Sequence, residues 1–194
     1  MDVSVLLGQN IDLPRLAQVL DGLGHEGRVH TTQTWSTRDQ ARLFEAAKEN
    51  GPLDLSFLVP DAVRPLEGVI HEGKNTLPLF SIFQKRFAKI PNVTELAGYN
   101  HQTMSPFTGP GYFVVGAGEG EHQGELAIDY TKLPSAKPDT WPEIMPNGGL
   151  IPAIVYGNMI DYLRRLSSHV SIGRAYKHGK PIDNWFALVR RDPS

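Results

Sequence analysis

Tyr112-Phe113-Val114-Val115 and Glu125-Leu126-Ala127-Ile128-Asp129-Tyr130 are two short, mainly apolar runs joined by a polar, glycine-rich loop, residues 116–124. Runs of this length that contain aromatic and β-branched residues are typical of β-strands. A polar loop between two such runs indicates a β-hairpin. The sequence therefore predicts an antiparallel pair of strands in this part of the chain.

A second hairpin is predicted nearer the C-terminus. Residues 170–176 and 183–189 have strand-like patterns on either side of the turn Lys177-His178-Gly179-Lys180-Pro181. The alternative is that a preceding helix continues through the first of these segments. Gly173 and the β-branched residues of that segment count against a helix.

Four segments carry the apolar spacing and the end signals of helices. Asp12 can cap the first, and Thr37 and Gln40 form a capping box at the start of the second, which stops at Asn50. The third ends in a cluster of basic residues, as suits the negative end of a helix dipole. The four predicted helices span about residues 13–23, 37–50, 76–90 and 152–166.

The order of these elements predicts the fold class. Residues 53–59 alternate in polarity between two prolines, which predicts a strand with one buried face. Hairpins interspersed with helices, without regular strand–helix alternation, favour an α+β fold. We expect a mainly antiparallel sheet built from hairpins and packed with about four helices. Residues 1–194 are expected to form a single globular domain.

The composition argues against several classes of function. The 194 residues include 19 Lys plus Arg against 21 Asp plus Glu, so there is no basic excess to bind nucleic acid. The absence of cysteine excludes disulfides, thiolate nucleophiles, zinc–thiolate sites and iron–sulfur clusters. No apolar run is long enough to span a membrane and no basic leader opens the sequence. We therefore expect a cytoplasmic protein with no membrane or nucleic-acid partner.

The segment Gly68-Val69-Ile70-His71-Glu72-Gly73-Lys74-Asn75-Thr76 matches the G-x-x-x-x-G-K part of a P-loop. The match fails at Asn75, where a P-loop has the Ser or Thr that binds magnesium, so we reject a nucleotide triphosphatase. His71, Lys74 and Asn75 nevertheless precede the third predicted helix, whose N-terminal amides would attract an anion. The alternative is that Thr76 only caps this helix.

A second group of candidates is Tyr99, Asn100 and His101, which lie ahead of a glycine- and proline-rich loop that leads to Tyr112. Loops with this hydrogen-bonding capacity and rigid geometry often line pockets. A contact between His101 and Asp129 would make a general base. The alternative is that these side chains form only structural hydrogen bonds.

Arg174 is a third candidate. In a strand over residues 170–176 it shares a face with Val170 and Ile172, so it is expected to point inward. A half-buried arginine needs either an internal carboxylate or an anionic ligand.

No metal site is predicted. His25 and His30 resemble a zinc-protease motif with one residue too many, and five residues turn a helix by about 140° past a full turn, so the two imidazoles cannot share a metal there. A metal held by the distant His71, His101 and His169 is the remaining alternative.

The functional hypothesis is a small-molecule-binding domain with a pocket for an anionic or polar–aromatic ligand. If the ligand is transformed, acid–base chemistry by a histidine is the expected class. The sequence identifies no cofactor. The alternative is a non-catalytic interaction or structural domain that self-associates through Trp35, Trp141 and Trp185. The predicted ligand-binding residues are His71, Lys74, Asn75, Tyr99, Asn100, His101 and Arg174.

Overall fold

The computed structural model describes residues 6–8, 10–78, 81–101, 110–145 and 157–192, and these contain a closed antiparallel β-barrel of eight strands. Each strand pairs with its neighbours in the chain, and the last strand returns to pair with the first. The strands are β1 (Val69–Asn75), β2 (Ile82–Lys89), β3 (Leu96–His101), β4 (Tyr112–Ala117), β5 (Leu126–Asp129), β6 (Met159–Arg165), β7 (Val170–Lys177) and β8 (Lys180–Arg190).

The α-helices of the described residues all precede the barrel in the chain. None of them is long and apolar enough to span a bilayer. Single 3₁₀ turns lie at Ala47–Glu49 and Gly120–His122. The α-helices are α1 (Leu13–Gly22), α2 (His25–Gln33), α3 (Thr37–Ala46) and α4 (Leu55–Leu58).

The predicted α+β fold is wrong, and the main error is the third predicted helix. Residues 82–89 form β2, in which Phe83, Lys85 and Phe87 are buried and the residues between them are half-exposed. Phe83 and Phe87 are four residues apart, a spacing that fits one face of a helix and, because it is even, one face of a strand. Hydrogen bonding to β1 on one side and β3 on the other stabilises the strand.

The fourth predicted helix is wrong for the same reason. Met159 and Leu163 are four residues apart, but both lie on the inner face of β6, which pairs with β5 and β7. Residues 152–156 of that prediction lie outside the described residues.

The strand predicted at 53–59 is also wrong, because four of these residues form α4. The carboxylate of Asp54 accepts a hydrogen bond from the Phe57 amide at 3.2 Å and so caps the helix. Leu53, Phe57 and Leu58 then join the apolar cluster inside the barrel.

Helix α4 closes one end of the barrel. Lys89, the last residue of β2, donates from Nζ to the Pro60 carbonyl at 2.9 Å, just after α4. Arg190, the last residue of β8, donates from Nη1 to the Phe57 carbonyl at 2.5 Å. The opposite end, where β2 and β6 begin, we call the upper end.

The first two predicted helices and both predicted hairpins are confirmed. Asp12 caps α1, and both predicted hairpins are present, as β4–β5 and β7–β8. The second predicted helix is present as α3, although its capping box is formed by Ser36 and Asp39, one residue earlier than expected. The β7–β8 turn places His178 and Gly179 at positive φ, as a two-residue type I′ hairpin turn requires.

Helices α1 and α3 cover the outer face of β7 and β8. Leu16 and Leu20 from α1, with Leu43 and Phe44 from α3, form one apolar cluster with outward-facing residues such as Ile172. The barrel therefore has separate apolar clusters in its lumen and beneath the helices, and a third cluster lies outside the wall at β2, β3 and β4.

Candidate functional site

A polar cluster lies inside the barrel, centred on the ammonium group of Lys85. Its Nζ donates hydrogen bonds to Asn100 Oδ1 at 3.0 Å, to Asp161 Oδ2 at 3.2 Å and to the Tyr130 hydroxyl. The Tyr130 hydroxyl also lies 3.3 Å from Asp161 Oδ2. This hydroxyl accepts a hydrogen bond from Asn100 Nδ2 at 3.1 Å. The side chains of Lys85 and Asp161 are only 3% and 4% exposed, so this is an ion pair removed from water.

The barrel register explains how these residues meet. Lys85 of β2 lies directly opposite Asn100 of β3 on one side and opposite His71 of β1 on the other, and all three side chains are buried. The cluster is close to the upper end of the barrel. One inward residue, Phe83, separates Lys85 from the start of β2, and one, Met159, separates Asp161 from the start of β6.

Four aromatic rings surround the ammonium group. The distances from Nζ to the ring centroids are 4.9 Å for Tyr130, 5.0 Å for Phe113, 5.1 Å for Phe186 and 5.7 Å for Phe83. Rings at this distance attract a cation through their negative faces and exclude water from it. The lysine therefore lies in an aromatic box of low polarity.

Glycine on the neighbouring strand makes room for each phenylalanine of the box. A Cβ atom at Gly98 would lie 2.0 Å from the Phe113 ring, and one at Gly173 would lie 2.3 Å from the Phe186 ring. Each glycine is the direct cross-strand partner of the ring that covers it. The third pair, Gly73 with Phe83, has the same arrangement, with a Cβ-to-ring distance of 2.5 Å. Since only glycine leaves this space, the rings lie against the barrel wall.

The buried environment of the cluster shifts the pKa values of Lys85 and Asp161 toward each other. Burial lowers the pKa of Lys85, with the Asp161 charge opposing this shift. Burial raises the pKa of Asp161, with Lys85 and Tyr130 opposing. Burial therefore shifts the two pKa values toward each other, and the hydrogen-bonded contact between Lys85 and Asp161 opposes both shifts.

One oxygen of the cluster has no hydrogen-bond partner among the described residues. It is Oδ1 of Asp161, which is buried together with the rest of its side chain. Several other buried polar atoms share this property, Ser171 Oγ and His71 Nδ1 among them. Because buried acceptors are almost always paired in folded proteins, an open carboxylate oxygen marks a position for a water molecule or a ligand that donates a hydrogen bond.

Of the seven residues predicted from the sequence, Asn100 lies in the cluster. His71 is next to Lys85 in the lumen, but its Nε2 hydrogen-bonds the Leu58 carbonyl of α4 at 2.9 Å. Burial lowers the pKa of His71 to about 3, so it is neutral at ordinary pH. Asn75 is buried at the upper end of β1, where its Oδ1 accepts from the Leu77 amide.

The other four predicted residues lie away from the lumen. Tyr99 packs with Tyr112 and Trp141 outside the barrel wall. Lys74 is half-exposed, and His101 is exposed. Since β2 is a strand, there is no helix N-terminus to attract an anion beside Lys74. These side chains therefore do not share one cavity.

Arg174 shares the face of Val170 and Ile172 as predicted, but that face is the outer one. Its guanidinium lies 4.8 Å from the Trp185 ring and pairs with the carboxylate of Asp183 at 3.5 Å. A carboxylate and an aromatic ring therefore satisfy this arginine.

Sequence reasoning missed Lys85, Tyr130 and Asp161. Lys85 falls in the third predicted helix and Asp161 in the fourth, and both segments are strands. A usable signal was present for the two charged residues, because each is flanked at two-residue spacing by apolar residues. Phe83 and Phe87 flank Lys85 in this way. In a strand that pattern places the charge on the buried face.

The outer wall offers a weaker candidate, a groove of about 500 Å³ across β4, β5 and β6. Its lining has three carboxylates and one lysine, Lys132, which lies 3.7 Å from Glu95 and 3.8 Å from Asp129. The predicted pair of His101 with Asp129 is not among the hydrogen bonds of the described residues. None of the buried side-chain atoms without a hydrogen-bond partner among the described residues belongs to the lining of this groove.

A second outer cluster joins a histidine to a carboxylate. His122 Nδ1 lies 2.9 Å from Glu125 Oε2, and Arg164 holds the other Glu125 oxygen at 2.7 Å. The His122 ring stacks on Tyr162 at a centroid distance of 3.4 Å, and Arg164 Nη1 bonds the Phe44 carbonyl of α3 at 2.7 Å. These contacts tie the β4–β5 loop and α3 to the barrel wall.

The described residues contain no group of three or more His, Asp or Glu side chains placed to hold a metal ion. The lumen cluster is therefore the best-supported site, and its chemistry is that of a lysine, a carboxylate and a phenol. No protein-family model, no curated protein and no solved structure matches this chain.

Proposed function

We propose that the barrel binds a small, neutral, polar–aromatic molecule in the upper part of its lumen. The supporting observation is the open Oδ1 of Asp161, a buried acceptor beside an ammonium group whose hydrogens are all engaged. A hydroxyl or amide N–H of the ligand would donate to this oxygen. The rings of Phe83, Phe113 and Phe186 would contact the apolar part of the ligand.

The charges of the cluster favour a neutral ligand over an anionic one. The positive charge of Lys85 is compensated by Asp161 at 3.2 Å. A carboxylate or phosphate beside the cluster would meet Asp161 Oδ1, a second acceptor, while the hydrogens of the Lys85 ammonium are already engaged. Of the two ligand classes expected from the sequence, these contacts support the polar–aromatic class.

The alternative of a tryptophan-based interaction surface has no such support. Trp35, Trp141 and Trp185 are 2%, 5% and 9% exposed, and they belong to two different clusters. An exposed aromatic patch would need at least some of these rings at the surface.

Three ring-matched probes test the proposal: phenol, which donates a hydrogen bond, benzoate, which carries a charge, and toluene, which does neither. We expect phenol to bind about tenfold more tightly than either of the others, because only phenol satisfies Asp161 Oδ1 without adding charge. Isothermal titration calorimetry gives the affinities, and amide chemical shifts of β2, β3 and β6 give the location.

Asp161→Asn keeps the side-chain shape but removes its charge, and we expect it to weaken phenol binding about fivefold. The matched control is Asp183→Asn, at a carboxylate that is 88% exposed, which should leave the affinity unchanged. Equal affinities for the three probes, or shift changes confined to the outer groove, would contradict a lumen site.

A further inference from the structure

We propose that Lys85 forms an imine with an aldehyde or ketone bound in the lumen. This inference rests on the proposed function, because the carbonyl compound must first enter the same site. It names the reactive class of ligand that the cluster takes. Lys85 is the one buried lysine among the described residues, and it is the one set among aromatic rings.

The geometry provides the groups that imine formation needs. The nucleophile is a primary amine, which must lose a proton before it attacks a carbonyl carbon. Asp161 Oδ2, at 3.2 Å from Nζ, is within reach to take that proton. The Tyr130 hydroxyl contacts both Nζ and Oδ2, so it can relay a proton between nitrogen and oxygen.

The reaction balances without an oxidant or reductant. Asp161 takes one proton from the Lys85 ammonium, and the nitrogen lone pair forms a bond to the carbonyl carbon while the carbonyl π electrons move to oxygen. A second nitrogen proton passes to that oxygen through Tyr130 and gives a carbinolamine. Protonated Asp161 then returns its proton to the hydroxyl group, the C–O bond breaks, and water leaves as the C=N bond forms.

The product fits the site as well as the free lysine does. The protonated imine carries the same positive charge, which again faces the carboxylate of Asp161 and the rings of the aromatic box. The rings of Phe113 and Phe186 keep bulk water from the C=N bond, and exclusion of water opposes its hydrolysis. Because Lys85 is close to the upper end of the barrel, the rest of the ligand extends toward that end.

Reductive trapping tests the inference on the wild-type chain. The purified protein is incubated with benzaldehyde and sodium cyanoborohydride, which converts an imine into a stable benzylamine, and peptide mass mapping locates the benzyl group. We expect Lys85 to be modified about tenfold faster than the exposed Lys180, and an excess of phenol to slow the modification of Lys85 alone. Lys85→Arg keeps the cation and should remove the fast phase, whereas the control Lys180→Arg should keep it.

Two outcomes would overturn the inference, and they are distinguishable. If phenol binds in the lumen but Lys85 stays unmodified, imine formation is refuted and the proposed function stands. If phenol does not bind and benzyl groups spread over exposed lysines only, both fail. Neither outcome depends on a variant that must fold, because each is read from the wild-type protein.

Discussion

The free energy that the Lys85–Asp161 pair contributes to folding can be measured with a double-mutant cycle. Lys85→Met keeps most of the methylene contacts with the rings but removes three hydrogen bonds, to Asn100, Tyr130 and Asp161. It leaves a carboxylate buried without its counter-charge. Loss of one partner of a buried ion pair typically destabilises a protein by about 3–5 kcal/mol, and we expect a loss in that range.

The double variant Lys85→Met/Asp161→Val should be more stable than Lys85→Met alone. It removes the buried charge together with its partner and fills the space with apolar groups, so most of the loss is recovered. We expect a coupling free energy of about 2–3 kcal/mol between the two positions.

Urea unfolding of the four proteins at pH 7, followed by circular dichroism, gives the free energies of unfolding. In a chain of this length a loss of about 3–5 kcal/mol should lower the melting temperature of the single variant by about 6–20 °C. If the effects of the two single variants add to within about 0.5 kcal/mol, the two side chains are not coupled, and the argument for a buried ion pair fails.

Three further predictions concern the lumen wall, the lower lumen and a helix end. Gly98→Ala should destabilise the barrel by about 1–3 kcal/mol, because its Cβ would meet the Phe113 ring, whereas Gly22→Ala, with nothing within 4 Å, should not. His71 has a folded-state pKa of about 3 against 6.5 in the unfolded chain, so between these values only the unfolded chain binds a proton. Acidification from pH 7.5 to pH 5 should therefore reduce the free energy of unfolding by about 2 kcal/mol more in the wild type than in His71→Gln. Ser36→Ala removes the α3 cap and should cost about 1 kcal/mol.

All three are measured by denaturant unfolding, and each has a contrary result. Equal costs for the two alanine variants would mean that the Phe113 ring moves aside easily. An identical pH dependence in His71→Gln would mean that other groups cause the acid sensitivity. A Ser36→Ala protein as stable as the wild type would show that the α3 N-terminus is held by packing alone.

The elements that sequence predicted correctly are those specified by near neighbours. The carboxylate of Asp12 caps α1 within three residues, and the β7–β8 turn is specified by His178 and Gly179. The strands β2 and β6 were mistaken for helices because their apolar residues are spaced by four, which serves both structures. Only pairing with strands distant in the chain distinguishes the two, and a single sequence does not state that pairing.

The candidate site was largely hidden for the same reason. Lys85 and Asp161 are 76 residues apart and meet only because the barrel closes. Asn100 was identified from its own loop, and Tyr130 was missed although its neighbour Asp129 was considered. In a strand, neighbouring residues face opposite sides, so one of this pair lines the lumen and the other the outer wall.

The residues of the upper lumen make the barrel less stable than an ordinary apolar core would. This is the strongest general argument for a function there. Apolar residues that replace a buried ion pair often cost a protein little or no stability. The glycines beneath the rings of Phe113 and Phe186 weaken the strands that contain them. The lower lumen, by contrast, is filled mainly with apolar side chains around α4, and its buried His71 is hydrogen-bonded to the Leu58 carbonyl. Departures from stable packing concentrate where a protein binds or reacts. A Lys85→Met/Asp161→Val barrel that folds stably but no longer binds phenol or reacts with benzaldehyde would separate the requirements of the fold from those of the site.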